Sequence, residues 1–169
     1  MRILGVDPGS ETTGYGVIET DGRTHRLVES GAIRPPRNRP FAQKLLYIAE
    51  RLQDVLDRLR PEAVALEEAF AAINPKSALK LGHVRGVVLL LAARMGVPVS
   101  EYSPLEVKSA TVGYGRAEKF QVQRMVAVLL DLPEVPEPHD VADALAVAIC
   151  HAHHLSVLQR SSGPLPTPS

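Results

Sequence analysis

The chain has 169 residues, which gives one domain with a single sizeable core and leaves too little for two full-sized ones. Hydrophobic residues at 45% and charged residues at 22% exclude wholesale disorder, while aromatics at 4% and the lack of Trp imply an aliphatic core. The 19 basic residues balance the 19 acidic ones, so any polyanionic partner has to be met by local patches and not by net charge.

Residues 2–7 form a short apolar run stopped by Pro8-Gly9, a strand with a carboxylate, Asp7, at its end. Residues 15–19 and 26–34 follow as two more strands, with Asp21-Gly22 between them as a hairpin signal. From Phe41 the period changes. Phe41, Leu45, Ile48, Leu52, Val55 and Leu59 recur at spacings of three and four, one apolar stripe on a helix that Pro61 ends. Residues 64–67 are a short strand and 77–94 a long helix, which Gly96 stops before a strand at 97–101. Helical stretches at 104–111 and 118–130, a proline-broken loop at 133–138 and a last helix from about Asp140 complete the pattern. Three hairpin strands, then strands alternating with helices, predict a mixed five-stranded sheet flanked by helices, an α/β domain over 1–158. Residues 159–169, rich in Ser, Pro and Gly, read as a disordered tail.

The single cysteine, Cys150, lies in an apolar stretch, so it reads as packing in a reducing cytoplasm. No charged-then-apolar leader opens the sequence, and wholly apolar runs such as Val87–Ala93 fall far short of the roughly 20 residues that span a bilayer. A soluble, cytoplasmic protein without a membrane partner is the expectation.

Four carboxylates stand where an apolar core normally excludes them. Asp7 ends one apolar strand and Glu67 ends another, while Asp140 and Asp143, three apart at a helix start, project from one face. Singly, an Asp before Pro-Gly is a turn former and an Asp at a helix start is an N-cap. Together, within about 4–6 Å, such groups repel by roughly 3–4 kcal/mol per pair at an effective dielectric near 20. A cation must compensate. Hard oxygen ligands without a cysteine set select Mg²⁺, with Mn²⁺ as a substitute, and one or two such ions bridged by a phosphate are the apparatus of phosphodiester hydrolysis.

Several segments, taken in order, resemble the RuvC family of Holliday-junction resolvases. They are Asp7-Pro-Gly-Ser, Thr13-Gly-Tyr-Gly-Val, Leu66-Glu67-Glu68-Ala69-Phe70, Ser77-Ala-Leu-Lys-Leu-Gly with Arg85-Gly86, Ala117-Glu118-Lys119 and Asp140-Val-Ala-Asp143-Ala-Leu-Ala. The likeness runs from about Arg2 to His151. It implies a ribonuclease-H-like fold, metal-dependent hydrolysis and paired symmetric nicks near the centre of a four-way DNA junction. It also implies that Asp7, Glu67, Asp140 and Asp143 are the catalytic and metal-binding acids, Glu67 being preferred to Glu68 by its place four residues after Ala63. His139, beside Asp140, is a possible auxiliary in base or ligand chemistry, or else a loop histidine facing solvent. Phe70 is implied to stack on DNA bases, and Lys76, Lys80, Arg85, Lys108 and Lys119 to contact DNA, Lys108 and Lys119 at the scissile phosphates. A RuvA–RuvB branch-migration complex is the implied partner.

Two nicks at matching positions call for two sites related by a two-fold axis, hence a homodimer. The helix 77–94 offers the seam, since its apolar content exceeds one stripe and Gly82 and Gly86 permit close backbone approach; the competing reading buries both faces inside the monomer. Other functions stay open at this stage. A ribonuclease-H-like nuclease could act on a different nucleic-acid structure, and a junction-binding protein could use the basic groups without catalysis. The Asp7-Pro-Gly segment also resembles the phosphate loop of actin-like and sugar-kinase-like ATPases, which need two lobes that this length does not supply.

Overall fold

The computed structural model describes residues 1–68 and 74–161, with backbone alone for 159–161. Its strands are β1 (Arg2–Asp7), β2 (Thr13–Thr20), β3 (His25–Ile33), β4 (Ala63–Glu67) and β5 (Val99–Tyr102); its helices are α1 (Phe41–Leu59), α2 (Pro75–Arg94), α3 (Pro104–Val112), α4 (Lys119–Leu129) and α5 (His139–Ser161). The five strands make one sheet in the order β3-β2-β1-β4-β5. β1, β2 and β3 pair antiparallel, whereas β4 lies parallel to β1 and β5 parallel to β4. The mixed sheet expected from the sequence is therefore present, with a hairpin half and a crossover half meeting at β1.

Strand alternation divides the apolar residues between two cores. Leu4, Val6, Val17, Val64 and Leu66 point to one face, where α1 contributes Ile48, Leu52 and Val55 and α2 contributes Val84, Val88 and Leu91. Ile3, Ile18, Ala65 and Tyr102 point to the other, covered by α3, α4 and a long run of α5 from Val141 to Ala152. The α1 stripe was legible because it is single-sided; the helix closes at Arg60, whose left-handed backbone (φ 47°) returns its N–H to the Leu56 carbonyl at 3.0 Å ahead of Pro61.

By length and composition α5 is apolar enough, over His139–Leu158, to cross a membrane, yet 61% of that window is buried inside this fold, as the core helix of the sheet. Cys150 lies within it, fully buried, and burial pushes its thiol up to about 12, with further help from the charges of Glu106 and Glu67. The thiol is packing, as its neighbours in sequence implied. The helix continues to Ser161, three residues beyond the predicted domain limit, and residues 162–169 of the predicted tail lie outside the described part.

Three glycines set how α5 lies on the sheet. Gly5 on β1 pairs with Gly16 on β2, and Asp7 pairs with Gly14. A Cβ on Gly5 would fall 1.9 Å from the Ala144 carbonyl oxygen, one on Gly14 2.0 Å from that of Asp140, and one on Gly16 2.4 Å from Leu145. The helix backbone thus rests on a bare strip of β1 and β2, far closer than a face carrying side chains would permit.

Candidate active site

The acids meet at one edge of the sheet. Val6 and Leu66 are partners across β1 and β4, so the next residues, Asp7 and Glu67, leave the ends of adjacent parallel strands side by side. Both continue the alternation Ile3–Gly5–Asp7 and Ala65–Glu67 and so face α5. Because Gly14 lets the Asp140 backbone press onto the partner of Asp7, the first turn of α5 delivers Asp140 and Asp143 to the same edge. Asp140 is the second residue of the helix and not its cap, and a carboxylate in a first turn is favoured by the helix dipole.

Their electrostatics record the crowding. Asp7 is pushed up to about 7 by burial first, then by the charges of Asp143, Asp140 and Glu67, with Lys119 pulling the other way. Glu67 is raised for the same reasons, burial and then Asp143, against the pull of Lys119 and Lys108. Among the described residues neither carboxylate has a hydrogen-bond partner, so neither is explained as a turn former. The turn after Asp7 is held instead by the buried Thr13, whose Oγ1 donates to the Gly9 carbonyl at 2.7 Å and accepts from its N–H at 3.3 Å.

Among the described residues a lysine reaches into the group. Lys119, the first residue of α4, places Nζ 2.7 Å from Asp143 Oδ2, and the attraction of Asp143, Asp7 and Asp140 outweighs its own burial to hold it above the usual lysine value. Among the described residues no three His, Cys, Asp or Glu side chains are closed around a single point in ligand geometry. The acids are gathered and still open, with an ammonium on one of them. The donor set nevertheless suits a hard divalent cation: oxygen ligands at a strand edge, two of them destabilised as anions by burial and by Asp143.

The chain matches the family model described as "Crossover junction endodeoxyribonuclease RuvC" over residues 3–151. The chain belongs to this family. Among curated proteins it is 54% identical over 161 residues to the crossover junction endodeoxyribonuclease RuvC of Koribacter versatilis, covering 95% of this chain and 97% of that one. The protein of the same description from Pelotomaculum thermopropionicum is 54% identical over 154 residues, covering 91% and 94%. Among solved structures, T. thermophilus RuvC in complex with a Holliday junction substrate superposes with a TM-score of 0.89 at 39% identity, covering 93% of this chain and 96% of that one. The ribonuclease-H-like fold of the family is the fold found here.

The other expected residues are distributed around the acids. Lys108 lies on α3, which Ser103 caps by accepting from the Glu106 N–H while the Glu106 side chain accepts from the Ser103 N–H at 2.8 Å; from there its charge acts on Glu67. Lys76 is exposed at the start of α2, and Lys80 one turn on lies over the Phe41 ring at 5.9 Å. His139 is exposed, its Nε2 4.0 Å from Asp140 Oδ2. Phe70 lies outside the described residues.

Arg85, for which a DNA contact is expected, turns inward from α2. Its side chain is only 14% exposed, and its guanidinium donates to the Glu67 carbonyl at 2.6 Å and to Glu101 at 2.9 Å. A signal for this was present in the sequence: Leu81, Val84, Arg85 and Val88 share one helical stripe, which puts Arg85 on the core side. The seating glycines were also missed. Gly14 and Gly16, two apart in a strand, share a face, and that spacing marks a close backbone approach.

Proposed function

We propose that this chain resolves four-way DNA junctions by cation-assisted hydrolysis, with Asp7, Glu67, Asp140 and Asp143 holding Mg²⁺ or Mn²⁺, two ions per site. The observation that carries the reading is the crowding of Asp7 and Glu67, partly buried side by side under the start of α5 among further acids, where burial and the neighbouring charges disfavour both anions and a cation would offset the cost. When bound, the ions supply a Lewis acid for the phosphate and a lowered pKa for the attacking water. Water adds to phosphorus, the bond to the 3′ oxygen breaks, and the leaving oxygen takes a proton.

The protein's part is positioning. Adjacent strand ends and the glycine-seated helix fix the carboxylates, so little reorganisation is left for the reaction. Lys119 and Lys108 stand on α4 and α3 beside the acids, suited to the scissile phosphate, and Lys119 exchanges its present partner Asp143 for that phosphate. Lys76 and Lys80 extend the contact along the backbone, Phe70 stacks on a base, and His139 serves as an auxiliary in base or ligand chemistry.

A homodimer fits the outer face of α2. Val84, Val88 and Leu91 are buried, yet Leu79 at 64% and Leu90 at 60% exposed share the opposite side with Gly82 and Gly86, where an added Cβ meets nothing within 4 Å. A second copy laid on this stripe puts two sites at one junction, as paired nicks require. This assembly acts in the cytoplasm, where a RuvA–RuvB complex is the partner proposed for delivering the junction.

The decisive assay compares cleavage of a synthetic four-way junction, a linear duplex and an RNA–DNA hybrid with Mg²⁺, Mn²⁺, Ca²⁺ or chelator. Paired nicks in the junction alone, with Mg²⁺ or Mn²⁺, are expected; Ca²⁺ supports binding without cutting. Full activity in chelator refutes the chemistry, and preference for the hybrid refutes the substrate.

A further inference from the structure

We infer that Arg85 is a positioning residue for Glu67, a clamp that holds the end of β4 against the repulsion within the acid cluster. The inference rests on the nuclease reading above. It begins with where β4 stops. Glu67 pairs with Tyr102, the Glu68 N–H donates to the Tyr102 carbonyl at 2.7 Å, and there the ladder ends. The pairing of β1 with β4 finishes one residue earlier, at Val6 and Leu66. The backbone carrying the Glu67 carboxylate therefore lies where both ladders run out, at the point where burial and Asp143 disfavour its charge.

Arg85 adds an anchor from the opposite layer. Its Nη1 donates to the Glu67 carbonyl at 2.6 Å, and its Nη2 reaches Glu101 Oε2 at 2.9 Å. Glu101 sits on β5 opposite Leu66, so the guanidinium ties the last residue of β4 to the neighbouring strand and to α2 at once. The planar fork matters, because one group must serve two acceptors in fixed directions and a single ammonium serves them poorly. Partners that orient a ligand in this way typically govern metal affinity or activity by about 10–100-fold. A guanidinium so enclosed and so engaged has little left for a phosphate.

The test uses the full chain with Arg85→Gln, Arg85→Lys and Glu101→Gln. Mn²⁺ binding to DNA-free protein is followed by the paramagnetic resonance of free Mn²⁺, junction affinity by anisotropy in chelator at several salt concentrations, and cleavage by single turnover. Arg85→Gln should weaken Mn²⁺ binding and slow cleavage about tenfold each, with junction affinity and its salt slope within about twofold of wild type. Arg85→Lys should recover part of both losses, and Glu101→Gln, which leaves the Glu67 bond in place, should lose less. If Arg85→Gln fails to fold, the other two variants carry the test with the same readouts. Unchanged Mn²⁺ binding overturns the inference, and a salt slope shallower by about one with Mn²⁺ binding intact returns Arg85 to a phosphate contact. Absence of Mn²⁺ binding by the wild type strikes the nuclease reading itself, a result distinct from either.

Discussion

Replacing Asp7 by Asn should make the metal-free protein more stable while abolishing cleavage. The Asp7 carboxyl rises from 3.8 to about 7 on folding, by burial and by the charges of Asp143, Asp140 and Glu67. A carboxyl raised on folding binds more protons in the folded state, so its contribution is most favourable below about pH 4 and is lost as pH climbs through about 7. The difference of about 3 pKa units at roughly 1.4 kcal/mol each sets a ceiling of about 4 kcal/mol on what ionised Asp7 costs the apo fold at pH 8. The amide keeps the shape and sheds the charge, although it forfeits the attraction of Lys119. Urea unfolding in chelator, from pH 5 to 8.5, provides the measurement. Wild type should lose stability across that range, and Asp7→Asn should be flatter and more stable at pH 8 by a large part of the ceiling. Adding Mg²⁺ should stabilise the wild type and not the variant. Equal apo stability at pH 8, or an unchanged pH slope, would refute the reasoning that Asp7 is held as an anion awaiting a cation.

Gly14→Ala places a methyl about 2 Å from the Asp140 carbonyl oxygen, so α5 must lift by an ångström or more; a loss of about 1–3 kcal/mol in thermal unfolding and about a hundredfold in cleavage rate is expected, and normal cleavage would show that the glycine seat does not place the acids. Lys119→Ala should weaken junction binding with a salt slope shallower by about one, measured by anisotropy in Ca²⁺; an unchanged slope with unchanged cleavage leaves Lys119 as a counter-ion for Asp143 alone. Leu90→Glu, on the exposed side of α2, should give a folded monomer that nicks junctions singly or not at all. Light scattering that finds the wild type monomeric at micromolar concentration, with and without junction DNA, would remove the symmetric-cut arrangement.

The sequence by itself determined the elements and the chemical type of the site. A single-sided period of 3.6 made α1 readable to the residue, and Pro8-Gly9 after an apolar run left Asp7 at a strand end. Boundaries slipped where one residue carries two signals. α2 begins at Pro75 and not Ser77 because Asn74 accepts from the Ser77 N–H at 2.9 Å, an N-cap followed by a proline that suits the first turn. β5 begins after Pro98, since the Val97 N–H closes the preceding helix end on the Ala92 carbonyl and Pro98 has no N–H to give the ladder. β2 starts at Thr13, two residues earlier than alternation suggested, because Thr13 is wholly buried and Gly14 pairs with Asp7.

What only the tertiary structure decided is how far apart residues distant in sequence come to rest. Asp7 and Glu67 are sixty residues apart and neighbours solely because β4 pairs parallel with β1, a choice made by the crossover through α1 and by burial on both faces of the sheet. Asp140 and Asp143 join them because three glycines on two strands accept one helix backbone, a fit that exists between elements and in none of them alone. Arg85 shows the same division from the other side. Its stripe marks it as facing inward, but that it grips the Glu67 carbonyl follows from α2 crossing the end of β4, a long-range geometry set by the packing of both cores.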